Sequence, residues 1–185
     1  MVEVLGWLVI CVIIADFVVG FVHWMEDTYL DGMMEYLGFI NEHIAKPNVL
    51  HHVDPRHMTK STVLVRNYIQ CMGAAIASVI LYFTPYNFWQ IHCIFWISSI
   101  GNEIHNINHK LDGELNPIER FLIDSGVIQQ KKKHMMHHKD YLTHYCTIID
   151  FNNAWMERLN FWRKLEFTLS IIGIHPQREN RRDSK

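Results

Sequence analysis

The sequence is short of charged residues and has no cysteine motif. Charged residues make up 19% of the 185 residues, compared with about a quarter in a typical soluble domain. The four cysteines, at Cys11, Cys71, Cys93 and Cys146, lie far apart, and none forms a C-x-x-C pair. This spacing favours neither a disulfide framework nor a cysteine zinc site. The cysteines are more typical of small, buried apolar residues.

Several functional signatures are also absent. No long basic stripe with interleaved aromatic residues occurs, and the formal net charge is only -2, so the sequence does not indicate a nucleic-acid partner. The H-E-x-x-H signature of zinc proteases is missing. So is the Glu-x-x-His motif of the soluble carboxylate di-iron bundles.

Long apolar runs are present instead. Three segments, Val4 to Val22, Tyr68 to Phe83 and Phe88 to Ile100, are almost entirely apolar. The first matches the roughly 20 residues that a helix needs to cross a bilayer. The other two are separated by the turn signal Thr84-Pro85-Tyr86-Asn87. We therefore predict an all-α integral membrane protein with about three transmembrane helices.

The positions of the basic residues predict the orientation. Every lysine and arginine falls in segments 23–67 and 101–185, which three spans would place on one side of the membrane. The positive-inside rule makes that side cytosolic. We expect a helical, histidine-rich cytosolic cap, a membrane domain over residues 1–176 and a disordered basic tail over 177–185. The amphipathic stretch from Trp155 to Ile172 fits a helix in the membrane interface or one packed on the cap.

Histidine is over-represented, with 13 residues, and most of them are clustered. Residues three or four apart share one face of a helix, so His105/His109 and the H-x-x-H-H group can each direct imidazoles to one point. All clusters lie on the predicted cytosolic side. The eight candidate metal ligands are His23, His51, His52, His105, His109, His134, His137 and His138.

The number of imidazoles indicates more than one metal. Imidazole suits zinc, copper, iron or nickel, but a single zinc takes only three or four protein ligands. A two-metal site accounts for the number best. A bis-histidine haem protein and a non-catalytic membrane metal-binding or transport protein stay open as alternatives.

Carboxylates and amides near the histidines are candidate orienting groups, because metal-bound histidine usually donates its second N–H to such a partner. Asp16 and Asp27 share a helical face with His23. The other two candidates are Asp54 and Asn102. The roles of His57 and His144, which lie near clusters, stay open.

These residues resemble the Kua family of lipid desaturases, whose branches act on plasmanylethanolamine and on chloroplast phosphatidylglycerol. The matching stretches run through most of the chain in the family's order. They are Ala15-Asp16-Phe17, Gly20, His23-Trp24, Asp27-Thr28, Pro47, His51 to Pro55, Asn102, His105, His109, His134 to His138, Tyr145-Cys146, Asn153 and Phe161 to Glu166.

The resemblance implies a membrane desaturase that uses two iron ions and molecular oxygen. It implies electrons from cytochrome b5 or ferredoxin, a phospholipid substrate, and a location in the endoplasmic reticulum or another internal membrane. The expected product is the vinyl ether bond of plasmalogens, formed from an alkyl ether phospholipid. Desaturation of another acyl lipid and hydroxylation are alternatives within the same chemistry.

Three histidines of the plasmanylethanolamine branch are missing. This chain has Ser61, Gly126 and Lys133 in their places. The eight candidate ligands are retained, so the absences bear on the substrate more than on the metal site.

Overall fold

Helices account for nearly all the regular structure. The computed structural model describes residues 2–30 and 38–177, and that part of the chain contains no strand. The helices are α1 Val2–Tyr29, α2 Gly38–Ile40, α3 Lys46–Val53, α4 Val63–Tyr82, α5 Trp89–Ser99, α6 Gly101–His109, α7 Pro117–Asp124, α8 Lys131–Lys139, α9 Phe151–Arg158 and α10 Phe161–Ile171. A π-helical turn, Asn41–Ala45, joins α2 to α3. The predicted all-α class is confirmed.

Two of the described helices, α1 and α4, are long and apolar enough to cross a membrane. Neither is a core helix, because only 22% of the apolar window of α1 and 11% of that of α4 are buried. Leu5 and Val9 on α1 and Ile76 and Val79 on α4 are among the exposed apolar side chains. These helices therefore present apolar surfaces that the described protein does not cover.

The third predicted span is shorter than expected. Helix α5 has 11 residues, which gives a length of about 16 Å, against about 30 Å for the hydrocarbon core. It packs against both α1 and α4. Helix α5 ends at Ser99, and Ile100 is its C-cap. A Cβ atom on the next residue, Gly101, would lie 3.0 Å from Val19. The polar helix α6 begins there, so three spans are not confirmed.

The histidine-bearing helices gather around the last turns of α1. Gly101 of α6 lies beside Val19 of α1, and one turn later the rings of His105 and His23 are 5.4 Å apart. Helices α1 and α6 therefore run side by side in the same direction. His109 lies one turn beyond His105 and so further from the apolar half of α1. At this point His134 of α8 contacts His109.

An irregular segment, residues 143–149, packs against α1 at Gly20. A Cβ atom at position 20 would overlap the Sγ of Cys146 and lie 3.0 Å from its Cα. The adjacent core cluster contains Trp24, Tyr145, Cys146 and Trp162. Only a glycine lets the segment approach this closely.

The C-terminal part differs from the sequence prediction. The amphipathic stretch is divided into α9 and α10 by Asn160, whose φ of 48° is left-handed. Of the predicted tail, only Gln177 is described, and its N–H donates to the carbonyl of Thr28 at 2.8 Å. The rest of the tail, 178–185, lies outside the described residues.

Replacing Gly20 with alanine should lower the free energy of unfolding by about 1–3 kcal/mol, the usual cost of overpacking. Thermal unfolding of the purified protein in detergent measures this. The control is Gly6→Ala on the same helix, because a Cβ atom there meets nothing within 4 Å. Equal unfolding temperatures for the two variants would show that segment 143–149 does not depend on close contact at Gly20.

Candidate metal centre

The eight predicted histidines converge in two adjacent groups. The five-histidine group consists of His51, His105, His109, His134 and His138, and the aspartate group consists of His23, Asp27, His52 and His137. Within each group, one potential ligand atom from every residue lies within 4.8 Å of all the others.

Neighbouring residues divide between the two groups. Successive residues of a helix point about 100° apart, so His51 and His52 of α3 reach different groups, as do His137 and His138 of α8. The rings of His51 and His52 are 4.9 Å apart, and those of His52 and His138 are 5.3 Å apart. Helices α3 and α8 therefore hold the two groups side by side.

Three imidazole nitrogens of the five-histidine group meet at one point. The Nε2 atoms of His109, His134 and His138 are separated by 2.8, 3.1 and 3.2 Å. Imidazole binds a metal such as zinc at about 2.0–2.1 Å, so two ligands at a right angle lie about 3 Å apart. The observed separations fit three ligands of one ion.

Other ring nitrogens of this group have no hydrogen-bond partner among the described residues. They are both nitrogens of His51, the Nε2 of His105 and the Nδ1 atoms of His134 and His138. A buried polar atom without a partner costs about 1–3 kcal/mol. A metal ion would bind the lone pair of one ring nitrogen of each histidine.

The environment keeps the five-histidine group uncharged. Burial, followed by repulsion from neighbouring histidines, lowers the pKa values of His51, His105 and His134 well below the usual range. The same causes lower the pKa of His109 to about 4 and that of His138 to about 2. Neutral imidazole is the form that binds metals.

Asp27 lies at the centre of the aspartate group. Its Oδ2 is 3.2 Å from the Nε2 of His137 and 3.5 Å from the Nε2 of His23. Its Oδ1 is 2.8 Å from the Nε2 of His52 and accepts a hydrogen bond from Asn48 at 2.8 Å. The sequence predicted that Asp27 orients His23, whereas the structure places its carboxylate among the potential ligand atoms.

Two backbone carbonyls fix the orientation of ligands in this group. The Nδ1 of His23 lies 3.0 Å from the carbonyl of Tyr145, and that of His137 lies 2.7 Å from the carbonyl of Thr143. A carbonyl only accepts, so each Nδ1 must carry the proton, which leaves the Nε2 lone pair of a neutral ring free. Within residues 2–30 and 38–177, both Nε2 atoms and the Oδ2 of Asp27 lack a hydrogen-bond partner. Two lone pairs facing a carboxylate form a site for a cation.

Asp16 was predicted to orient His23, but it binds the backbone of segment 143–149 instead. Its Oδ1 accepts from the N–H groups of Ile148 and Ile149 at 2.8 and 3.1 Å, and its Oδ2 accepts from Asn152 at 2.9 Å. It therefore holds segment 143–149, which supplies the carbonyls, and does not bind His23 directly.

Residues missed by the sequence prediction brace the same segment. The side chain of Asn153 pairs with both the N–H and the carbonyl of Cys146, at 3.0 and 2.7 Å. The Nε2 of Gln129 donates to that carbonyl at 2.6 Å. A backbone carbonyl that orients a histidine gives no signal in the sequence, because any residue can supply it. Tyr145-Cys146 and Asn153 nevertheless belong to the family pattern.

The other predicted orienting groups lie elsewhere. Asp54 is near the surface, where it accepts from Lys60 Nζ and from the N–H of Arg56. Asn102 donates to the carbonyl of Arg66 at 3.0 Å and ties α6 to α4. Neither orients a histidine in this structure. His57 is exposed and His144 is half-buried, and both lie outside the two groups.

The surface cavity of about 560 Å³ beside α3 is separate from the metal centre. Its lining includes Lys46, Val49, Leu50 and Val53, which form one stripe of the helix. His51 and His52 point away from that stripe.

Comparison with known proteins supplies the family. A family model described as the lipid desaturase domain matches residues 12–179. The chain belongs to the lipid desaturase domain family. This confirms the resemblance seen in the sequence and makes the protein a desaturase, an oxidoreductase that acts on lipid.

The desaturase is similar to proteins from several organisms. It is 29% identical over 180 residues to a probable fatty acid desaturase of Acanthamoeba polyphaga mimivirus, covering 94% of this chain and 84% of the relative. It is 27% identical to plasmanylethanolamine desaturase 1 of Mus musculus, covering 91% of this chain and 66% of the relative. It is 28% identical to plasmanylethanolamine desaturase of Myxococcus xanthus, covering 90% of this chain and 60% of the relative. No solved structure matches.

Replacing Asp27 with asparagine should release the ion of the aspartate group and leave the five-histidine group occupied. The amide removes the negative charge at nearly constant volume, so bound metal should fall by about half, as expected for two sites whose ligand sets differ. Metal analysis of the purified protein measures this. Asp54→Asn, which removes a carboxylate outside both groups, is the control. Equal metal contents would contradict the placement of Asp27.

Proposed function

We propose that the two groups hold two iron ions and that the protein introduces a double bond into a phospholipid-linked chain, using molecular oxygen. The observation that carries the proposal is the convergence of eight imidazoles and one carboxylate in adjacent buried groups. Zinc has no redox chemistry, whereas desaturation removes two electrons from the substrate. Imidazole and carboxylate ligands suit iron.

The bound iron pair would supply, with oxygen, the oxidising power that no side-chain acid or base has towards an unactivated alkyl chain. One turnover removes two hydrogen atoms from adjacent carbons. These atoms, two donor electrons and two protons reduce one oxygen molecule to two waters.

The chain's own residues position the ligands and exclude water. His23 and His137 are held by the carbonyls of Tyr145 and Thr143, and His134 and His137 are fully buried. The ring of Tyr145 covers the aspartate group, 5.3 Å from that of His137. A dry, fixed ligand set suits oxidation of a hydrocarbon chain.

We place α1 and α4 in a membrane. Their exposed apolar side chains have no cover within the described protein, and a lipid substrate resides in the bilayer. The distribution of lysine and arginine supports a cytosolic metal centre. The endoplasmic reticulum or another internal membrane is the proposed location.

The preferred product is the vinyl ether bond of a plasmalogen, formed from an alkyl ether phospholipid. The mouse and Myxococcus relatives named plasmanylethanolamine desaturase cover nine tenths of this chain. This chain covers only 66% and 60% of the lengths of these relatives. That it has the same activity is therefore our proposal. The three family histidines missing at Ser61, Gly126 and Lys133 are not needed to form the two groups, because all eight candidate ligands are present in them.

Desaturation of another acyl lipid is the second candidate. It is favoured by the mimivirus relative, which is named a probable fatty acid desaturase and is covered over 84% of its length. Hydroxylation shares the same first hydrogen removal. A non-catalytic metal relay would use ligands along the spans, whereas both groups lie at one end of α1.

Expression in cells that lack plasmalogens, supplied with an alkyl ether phospholipid, tests the proposal. Lipid mass spectrometry should show vinyl ether lipids with the wild type and none with His105→Ala, which removes a ligand of the five-histidine group. His57→Ala, an exposed histidine outside both groups, should behave like the wild type. New acyl double bonds without vinyl ethers would select the second candidate. Hydroxylated lipid would select the hydroxylase, and no histidine-dependent change in lipid would contradict both desaturase proposals.

A further inference from the structure

Helix α8 has two opposite faces of different chemistry. Its inner face carries His134, His137 and His138, which belong to the two metal groups. Its outer face carries three exposed lysines, Lys132, Lys133 and Lys139, and two methionines, Met135 and Met136, exposed by 38% and 40%. We call these five residues the α8 outer face.

The α8 outer face is close to both metal groups. A helix with its side chains is only about 10–12 Å wide, so this distance separates the surface from the ligand rings. His134 and His138 lead to the five-histidine group and His137 leads to the aspartate group. An electron arriving at this face has a short, covalently continuous route to either group.

Helix α3, which also serves both groups, has a different outer face. Val49, Leu50 and Val53 line its surface cavity, and Lys46 of that cavity is paired with Glu42. This face is apolar and nearly neutral. A charged partner is therefore better matched by α8.

The position of α8 directs its outer face towards water. Helix α6 runs alongside α1 from Gly101 to His105 and continues for one more turn to His109. The Nε2 atoms of His134 and His138 meet His109 at this far end. Helix α8 therefore covers the metal centre on the side away from the apolar half of α1.

The lysines of the α8 outer face are not held in close ion pairs, and their positive charge is only partly offset. Lys131 is paired with Asp112, whereas Lys132, Lys133 and Lys139 form no ion pair within residues 2–30 and 38–177. The carboxylates nearest along the chain accept from backbone groups, Asp140 from the N–H of Leu142 and Asp150 from that of Gln130, and the charge of Asp150 also attracts Lys133. Basic side chains around a small apolar centre match an acidic partner that binds weakly and is steered by charge.

We propose that the α8 outer face is the docking surface for an acidic one-electron carrier domain. The proposal rests on the proposed function, since oxygen-dependent desaturation needs two external electrons in each turnover. Each carrier gives up one electron as its haem iron passes from ferrous to ferric. Two carriers therefore supply the two electrons that each turnover requires.

The charge-reversal variant Lys132→Glu/Lys133→Glu tests the surface. The probe is the soluble haem domain of cytochrome b5, added to protein in nanodiscs made only of zwitterionic phosphatidylcholine. Binding, measured by titration in the ferric state, should weaken about tenfold at low ionic strength, because charge steering contributes factors of this size and is screened by salt. Haem oxidation by the oxidised, iron-loaded protein without oxygen should slow by a similar factor. Reduction by dithionite should be unchanged.

The matched control is Arg158→Glu/Lys164→Glu, which reverses two exposed charges that belong to α9 and α10 and not to the α8 outer face. It should bind the haem domain like the wild type. Equal binding by both double variants and the wild type would overturn the proposal, as would equal weakening in both variants. Slower reduction by dithionite, or a binding defect that appears only when anionic lipid is added, would also overturn it.

The two proposals fail in different ways. If the wild type binds the haem domain through α8 and accepts its electrons but forms no double bond, the proposed function fails and the docking surface stands. If lipid is desaturated but Lys132 and Lys133 do not affect the carrier, the reverse holds.

Discussion

Eight imidazoles and one carboxylate share a buried space in which several polar atoms have no hydrogen-bond partner among the described residues. They include ring nitrogens of His23, His51, His105 and His137 and the Oδ2 of Asp27. At about 1–3 kcal/mol each, their combined cost is comparable with the whole stability of a domain, about 5–15 kcal/mol. The fold is therefore consistent with a cation in each group, and metal binding should form part of its folding free energy.

The surrounding structure serves to hold these ligands in place. The apolar helices α1, α4 and α5 form a base, and α6 extends from it beside the last turns of α1. Segment 143–149 returns to α1 at Gly20, and its N–H groups donate to Asp16, which also accepts from Asn152. Its carbonyls then set the proton positions of His23 and His137.

Helical periodicity made part of this site predictable from sequence. The spacing of His105 and His109 placed them on one face, and all eight candidate ligands fall in the two groups. The division of His51 and His52 between the groups depends on where α3 lies, which no local pattern encodes. Asp16 lies on the predicted helical face but binds a segment more than a hundred residues away. The apolar run that contains α5 gave no signal for its end at Ser99, where the chain passes to α6 beside Val19.

The central claim is that two ions occupy two distinct ligand groups. Anomalous X-ray diffraction at the iron edge from crystals of the iron-loaded protein tests it most directly. The account predicts two peaks, one among His51, His105, His109, His134 and His138, and one among His23, Asp27, His52 and His137. A single peak, or peaks outside these groups, would contradict it.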